Sequence, residues 1–524
     1  MTASLRHPLF VAIDASITSL RCTIFDPQGH VLGSGRTSLD YMQVGEDGYE
    51  QDANSWWSAL CSSTRQAIAE LPPDRVVDLA TLCIAHQREA IVATDANGDP
   101  LCPAILGMDN RCRQDVTAAE RNIGGVRLHA LSGKPACTTP SLYKLMYLFR
   151  MRPELRDVSF VADVHAFLAR KLTGRSMTSF ASADPTGLVD MRKRAWSHSL
   201  IRMLGIDPHQ LPELVECGYL IGPLTEHAAE ETGLPAHVIL YAGAGDAQLS
   251  GLGAGVVQHG RGFIDLGTAI CGSVVSDRYE IDNAFRTLHH AVPGRYCLET
   301  TVRGGMLTLW WLIDHLLGST TRGKTMRDLE GQARQVLPGS DGLVTIPYWN
   351  GVMNPYWDDG ARGAFIGLTP RHRPAHLYRS ILEGLALEQR LHLEGVGKSL
   401  GKLDQHLVLI GGGSRSDLWC QIFADVLDRP LYRTRNPDAT STGAAILGAV
   451  AHGYYPSFER AVEQMTKLGA RFEPGPRVPL YDRLYRDVYR GLYLDIAPRL
   501  RELSRIRLLT ADQPLASFSH PVLE

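Results

Sequence analysis

Short, unbroken apolar runs bounded by polar turns open the chain. "LFVAID" (residues 9–14) ends at Asp14, the polar turn "ASITS" follows, and "RCTIFD" resumes the apolar pattern. Runs of this length between turn residues predict buried strands, and "PQGHVLGSGRTS" predicts a hairpin leading into a third. The spacing then changes. "DANSWWSALCSSTRQAIAEL" carries apolar positions at helical intervals behind a capping Asp or Asn, which predicts a helix. "LATLCIAHQ" reads as another buried strand and "AIVATDANGDPLCPAIL" as a hairpin, and residues 141–205 are mostly helical in pattern.

The opening pattern then recurs. "FIDLGTAICGSVV" (residues 263–275) aligns with "AIDASITSLRCTI" (residues 12–24), placing Asp14 on Asp265, Ser16 on Gly267 and Ile17 on Thr268. Both are strand, tight polar turn, strand. The second copy continues with helical spacing in "GGMLTLWWLIDHLLG" and "AHLYRSILEGLALEQRLHLEGV", the strand "HLVLIGGG" and the helix "SDLWCQIFADVL". This order predicts two α/β domains, over residues 1–250 and 251–485, with a C-terminal helix and tail over 486–524. A ligand cleft is expected between the domains.

Composition narrows the class. A chain of 524 residues is too long for one ordinary core. Its net charge of −3 disfavours nucleic-acid or membrane partners held by bulk charge. The ten cysteines form no CxxC pair, as expected of a reducing cytoplasm. Neither a signal peptide nor a membrane-spanning run is expected.

The candidate chemistry lies in the turns. Small residues there let a backbone approach phosphate oxygens. Thr18, Ser19 and Arg21 offer donors in the first turn, and Gly267 and Thr268 in the second. Gly411, Gly412 and Gly413 follow a strand and precede a helix starting at Ser416 or Asp417, a shelf on which an adenosine can lie flat. "GSTTRGKT" (residues 318–325) matches a phosphate-loop pattern by letter but follows a helix rather than a strand, so Gly318 is expected to cap that helix. Arg88 and Glu89, just after a buried strand, suit a hydroxyl-rich ligand as donor and acceptor. Asp109 and Arg111 sit in a similar place. Asp246, within "GAGDAQLSGLGAG", is either a helix cap or a working carboxylate.

Taken together, these segments resemble the FGGY family of carbohydrate kinases. The most specific is "GAFIGLTPRHRPAHLYRSILE" (residues 363–383), flanked by "NPYWDDGARGA" and "DATSTGAAILGA". "HQRE", "GAGDAQ", "DLGTA", "RGGMLTLWW" and "IGGGSRSDLW" occur in the family's order. The resemblance spans residues 9–485 and implies two actin/hexokinase-like (ribonuclease H-like) domains around a cleft. It implies that Asp246 is the catalytic base and that Arg88, Glu89 and Asp246 bind substrate. It implies a nucleotide site at Thr18, Ser19, Arg21, Thr268, Gly305, Gly412 and Ser416, to which the turn reading adds Gly267 and Gly413. Asp14, together with Asp246, is then expected to hold Mg²⁺ through water beside ATP, and Asp109 to join the substrate residues.

The chain departs from the family's first turn at Ser16 and Ile17, where Gly and Thr are usual. Gly107, Thr139 and Ala247 stand where the family's glycerol kinases carry Trp, Tyr and Gln, and "HHAVPGRY" looks closer to the xylulokinase branch. The expected acceptor is therefore a small sugar, a ketopentose such as D-xylulose. Glycerol, another polyol or an aldonate is the alternative, and a nucleotide-binding regulator without kinase activity is a further one. The tail after Arg501 matches nothing in the family and is expected to be a disordered extension or a homodimer contact.

Overall fold

The computed structural model describes residues 8–511 apart from 159, 402, 405 and 437. Two large sheets organise the chain. The first is built from β1 (Leu9–Ala15), β2 (Ser19–Phe25), β3 (Val31–Ser38), β4 (Leu79–His86), β5 (Leu220–Pro223) and β6 (Ile239–Gly245), in the order β5-β6-β4-β1-β2-β3. β1 runs antiparallel to β2 and parallel to β4. β4 is buried along its whole length, as a continuous apolar run in a covered sheet requires. Helix α1 (Ala53–Ala69) starts where the pattern predicts, with Asp52 accepting from the Asn54 N–H at 3.0 Å. It seats Trp56 fully in the core.

The second sheet repeats this topology. It contains β7 (Gly262–Leu266), β8 (Ile270–Ser276), β9 (Arg286–His289), β10 (Tyr296–Val302), β11 (Leu407–Ile410), β12 (Leu431–Thr434) and β13 (Leu468–Phe472), in the order β9-β10-β8-β7-β11-β12-β13. β7 is antiparallel to β8 and parallel to β11, as β1 is to β2 and β4. Asp14 and Asp265 therefore occupy equivalent places near the ends of matched strands, and the sequence alignment of the two turns is also a structural one.

Two helices join the halves. α2 (Asp246–Gly253) leaves the end of β6, and α3 (Ala439–Ala451) belongs to the second half but lies against the first sheet. Ala444, Ile446 and Leu447 of α3 share a core with Phe10, Ala12 and Cys83. The two helices touch backbone to backbone. A Cβ on Gly253 would lie 1.8 Å from the Ala439 carbonyl oxygen, and one on Gly443 would lie 1.9 Å from that of Leu249. Gly443→Val is expected to destabilise the protein by about 1–3 kcal/mol through overpacking, seen as a lowered Tm.

The phosphate-loop look-alike is a helix end. Gly318 has φ = 60° and the Ser319 N–H reaches back to the Ile313 carbonyl at 3.0 Å, so no strand precedes it. The chain remains helical from Arg490 to Ala511. The tail after Arg501, expected to be a disordered extension or a homodimer contact, is thus helix for its first ten residues, and residues 512–524 lie outside the described residues. Among the described residues no helix is long and apolar enough to cross a membrane.

Candidate active site

The carbonyl of Gly267, in the turn between β7 and β8, accepts from the Met306 N–H at 3.0 Å, and the carbonyl of Thr268 accepts from the Leu307 N–H at 3.2 Å. Gly305 fits there because a Cβ would lie 2.7 Å from the Gly267 oxygen. Behind the turn lies Gly411, with φ = 80° and ψ = 172°. Only glycine populates that region readily, and a Cβ would come within 2.1 Å of Asp265 Oδ1. Gly412 has open space on its Cβ side, whereas Gly413 packs on Trp419. Ser416 caps the following helix, accepting from the Trp419 N–H at 3.1 Å.

The first turn, between β1 and β2, has tightened differently. Ser16 folds its hydroxyl onto the Ser19 carbonyl at 2.8 Å, and Ile17 packs against the apolar core of the first half. Neither takes a left-handed φ, so the departure from Gly and Thr carries no backbone strain. Thr18 is exposed at the tip and Ser19 is buried. Arg21 reaches across to Asp438 Oδ2 at 2.7 Å, and Asp438 also caps α3 through the Ser441 N–H at 3.0 Å.

Three carboxylates converge between the turns. Burial pushes Asp14 up to about 7, reinforced by the charges of Asp438 and Asp246 and opposed by Arg21 and Arg36. Burial also pushes Asp265 up to about 7, with Asp246 adding to it. Desolvation raises Asp246 against the pull of Arg88 and of the Ala247 N–H. Asp265 Oδ1 is buried without a partner among the described residues. Mutually repelling carboxylates, one with an orphaned oxygen, fit a cation-bound polyphosphate. Among the described residues no three potential ligands stand close enough to cage a metal directly.

Asp246 owes its position to glycine and to a bulge. The pairing of β6 with β4 shifts between Tyr241 and Ala244, and the freed Gly243 N–H donates to His165 Nε2 at 2.9 Å. Burial lowers the His165 pKa and keeps the ring neutral, and its Nδ1 faces the Met177 carbonyl at 3.3 Å, which leaves Nε2 as the acceptor. Gly243 passes the Ile84 carbonyl where a Cβ would lie 1.8 Å away, and one on Gly245 would lie 2.4 Å from Arg88 Cδ. Asp246 then opens α2. Its Oδ1 accepts from the Ala247 N–H at 2.8 Å and from Arg88 Nε at 3.1 Å. Its side chain stays 40% exposed, and Oδ2 has no partner among the described residues. The carboxylate touches its helix terminus and keeps one oxygen open.

Arg88 and Glu89 stand beside it. Glu89 has φ = 60°, uncommon for a residue with a side chain. This breaks the strand alternation that would send adjacent side chains to opposite faces. The Arg88 guanidinium donates to Asp246 and, from Nη1, to Glu299 at 2.6 Å. Glu89 Oε1 accepts from Arg286 at 2.7 Å. Arg88 Nη2 and Glu89 Oε2 have no partner among the described residues. A Cβ on Gly107 would lie 2.8 Å from the Arg88 carbonyl oxygen. The glycine is thus required by this loop whatever the pocket's size, which leaves Thr139 and Ala247 as the replaced positions that bear on the room for substrate.

Asp109 differs from expectation. It is 1% exposed. Its Oδ2 accepts from the Tyr49 N–H at 2.8 Å and Arg111 Nε at 2.9 Å, and its Oδ1 from the Arg111 N–H at 3.0 Å. The carboxylate is spent on its own loop rather than offered to a sugar. Sequence reasoning missed Asp265 as a site residue, although its alignment with Asp14 marked it. It also missed Asp438, Arg286 and Glu299, which no local motif singles out.

Known proteins share this two-sheet architecture. Residues 9–253 match the N-terminal domain model of the FGGY family of carbohydrate kinases, and residues 262–452 match the C-terminal one. A xylulose kinase of Lactococcus lactis is 27% identical over 92% of this chain and 96% of its own. An autoinducer-2 kinase of Salmonella choleraesuis is 28% identical over 93% and 94%. The crystal structure of a xylulose kinase from Rhodospirillum rubrum superposes with a TM-score of 0.86 at 26% identity, covering 94% of this chain and 99% of that one.

Proposed function

The chain belongs to the FGGY family of carbohydrate kinases, and on that premise we propose that it phosphorylates a ketopentose such as D-xylulose at the expense of ATP. The observation that carries this reading is the set of polar atoms left over after the protein's own pairing. Asp246 Oδ2, Arg88 Nη2 and Glu89 Oε2 supply two acceptors and one donor beside the converging carboxylates. A polyol face satisfies such a set.

When bound, ATP supplies the phosphoryl group and Mg²⁺ neutralises its charge, with Asp14 and Asp246 holding the metal through water. Asp246 accepts the hydroxyl proton of the sugar at Oδ2. Arg88 and Glu89 fix the sugar so that this hydroxyl faces the phosphate turns. Thr18, Ser19, Gly267, Thr268 and Gly305 line the phosphates, while Gly412, Gly413 and Ser416 form the shelf for the base. Arg21 acts through Asp438, and Asp265 would join Asp14 and Asp246 in holding the metal.

The test is ADP release against ketopentoses, glycerol, gluconate and autoinducer-2. With Thr139 in place of a large ring, kcat/KM for D-xylulose is expected to exceed that for glycerol at least about tenfold, a gap of about 1.4 kcal/mol. Glycerol turning over as well as every ketopentose overturns the ketopentose assignment. The similarity to an autoinducer-2 kinase favours one second reading, and a dominant response to autoinducer-2 selects it.

A further inference from the structure

The Arg88–Glu89 pair is held from the other half of the molecule. Arg286 on β9 and Glu299 on β10 are directly opposed in the antiparallel register, so their side chains share one face. Arg286 Nε donates to Glu299 Oε1 at 2.6 Å, and its Nη1 donates to Glu89 Oε1 at 2.7 Å. Glu299 Oε2 takes Arg88 Nη1 at 2.6 Å, and Arg88 Nε continues to Asp246 at 3.1 Å. The chain of charges therefore runs Asp246–Arg88–Glu299–Arg286–Glu89 and crosses between the halves twice. Its middle members are nearly sealed, with side-chain exposures of 7% for Arg88, 2% for Glu299 and 5% for Arg286.

A sealed ion network is a poor device for stability, because desolvation consumes most of its attraction. Here every charge has a partner, yet the network leaves one guanidinium nitrogen on Arg88 and one carboxylate oxygen on Glu89 without one. Each guanidinium spans two carboxylates, and such planar forks fix direction as well as distance. Lys134 adds positive charge near Arg286 and Glu89, and is itself drawn to Asp184 at 3.4 Å. Arg286 and Glu299 thus determine which atoms of the sugar-binding pair remain free and where they point.

We infer that Arg286 and Glu299 are positioning residues for the acceptor: the second half of the chain reaches across the cleft and orients Arg88 and Glu89 for the sugar. The inference rests on the sugar-kinase reading of this site. It makes sugar recognition a property of both halves.

The experiment compares Arg286→Lys, Arg286→Met and Glu299→Gln with the wild-type enzyme, using D-xylulose and ATP as the varied substrates. Arg286→Met is expected to raise the KM for D-xylulose at least about tenfold and leave the KM for ATP within about twofold. Arg286→Lys keeps the charge but cannot span two carboxylates, and falls between. Glu299→Gln keeps the shape but leaves one acceptor oxygen for two guanidinium groups, loosens one of them and also raises the sugar KM. Melting temperatures separate this from misfolding, and the Lys and Gln variants carry the test if the Met variant does not fold. An unchanged or lowered sugar KM in folded variants overturns the inference, as does an equal rise in both KM values. Wild-type protein that transfers phosphate to no acceptor brings down the kinase reading and this inference together.

Discussion

Asp246→Asn is expected to leave a folded protein that has lost at least about a hundredfold in turnover. The amide retains an oxygen for the Ala247 N–H and Arg88 Nε, which now anchor Asp246 Oδ1 at 2.8 and 3.1 Å. The start of α2 and its glycine crossing with α3 should therefore survive. What is lost is the basic oxygen, and an amide cannot take the proton that leaves the sugar hydroxyl as it attacks. General-base removal costs about a hundredfold to ten-thousandfold. The check is ADP release at saturating substrates together with a melting curve. Near-normal turnover in a folded Asp246→Asn protein reduces the residue to a helix-terminal group.

Gly411→Ala should fall mainly on the nucleotide. With φ = 80° and ψ = 172° the residue lies where a side chain is strained by about 1–3 kcal/mol. The new methyl would also stand 2.1 Å from Asp265 Oδ1, so either Asp265 or the glycine shelf must move. A loss of about 2–3 kcal/mol corresponds to about thirtyfold to 150-fold in nucleotide affinity. Titration with ATP should show the loss, while D-xylulose binding stays within about twofold of wild type. If ATP affinity is unchanged, the shelf at Gly411–Gly413 is not where the nucleotide lies.

The strand–turn–strand repeat was readable from the chain because it is local. The two turns carry their pattern within a dozen residues, and the strands beside them are apolar runs of ordinary length. Asp246 and the Arg88–Glu89 pair also stand in short local segments, but those segments left a cap or a plain charge pair open and only the whole-chain resemblance gave them roles. Arg286 and Glu299 were not readable in either way. They lie in strands outside every motif, and their partners are 197 and 211 residues away. Only the fold, which sets β9 and β10 of the second half against the loop after β4 of the first, brings them together. Asp109 shows the opposite failure. Beside Arg111 it has the look of a ligand, but the turn it sits in consumes its oxygens. Sequence proximity identifies a charged loop and leaves open which way its acceptors face. The Lys324 motif likewise has the letters of a phosphate loop and the geometry of a helix end.

The backbone contact of Gly253 and Gly443 has a mechanical meaning. Two rods pressed together at a point can turn about it, and an atom's sweep in such a turn grows with its lever arm. Asp246 and Asp438 sit at or just before the starts of the two crossing helices, seven and five residues from those glycines. Groups mounted close to the crossing therefore shift least if one half turns against the other. The crossing acts as a fulcrum, and the residue whose placement tolerates the least error is mounted close to it.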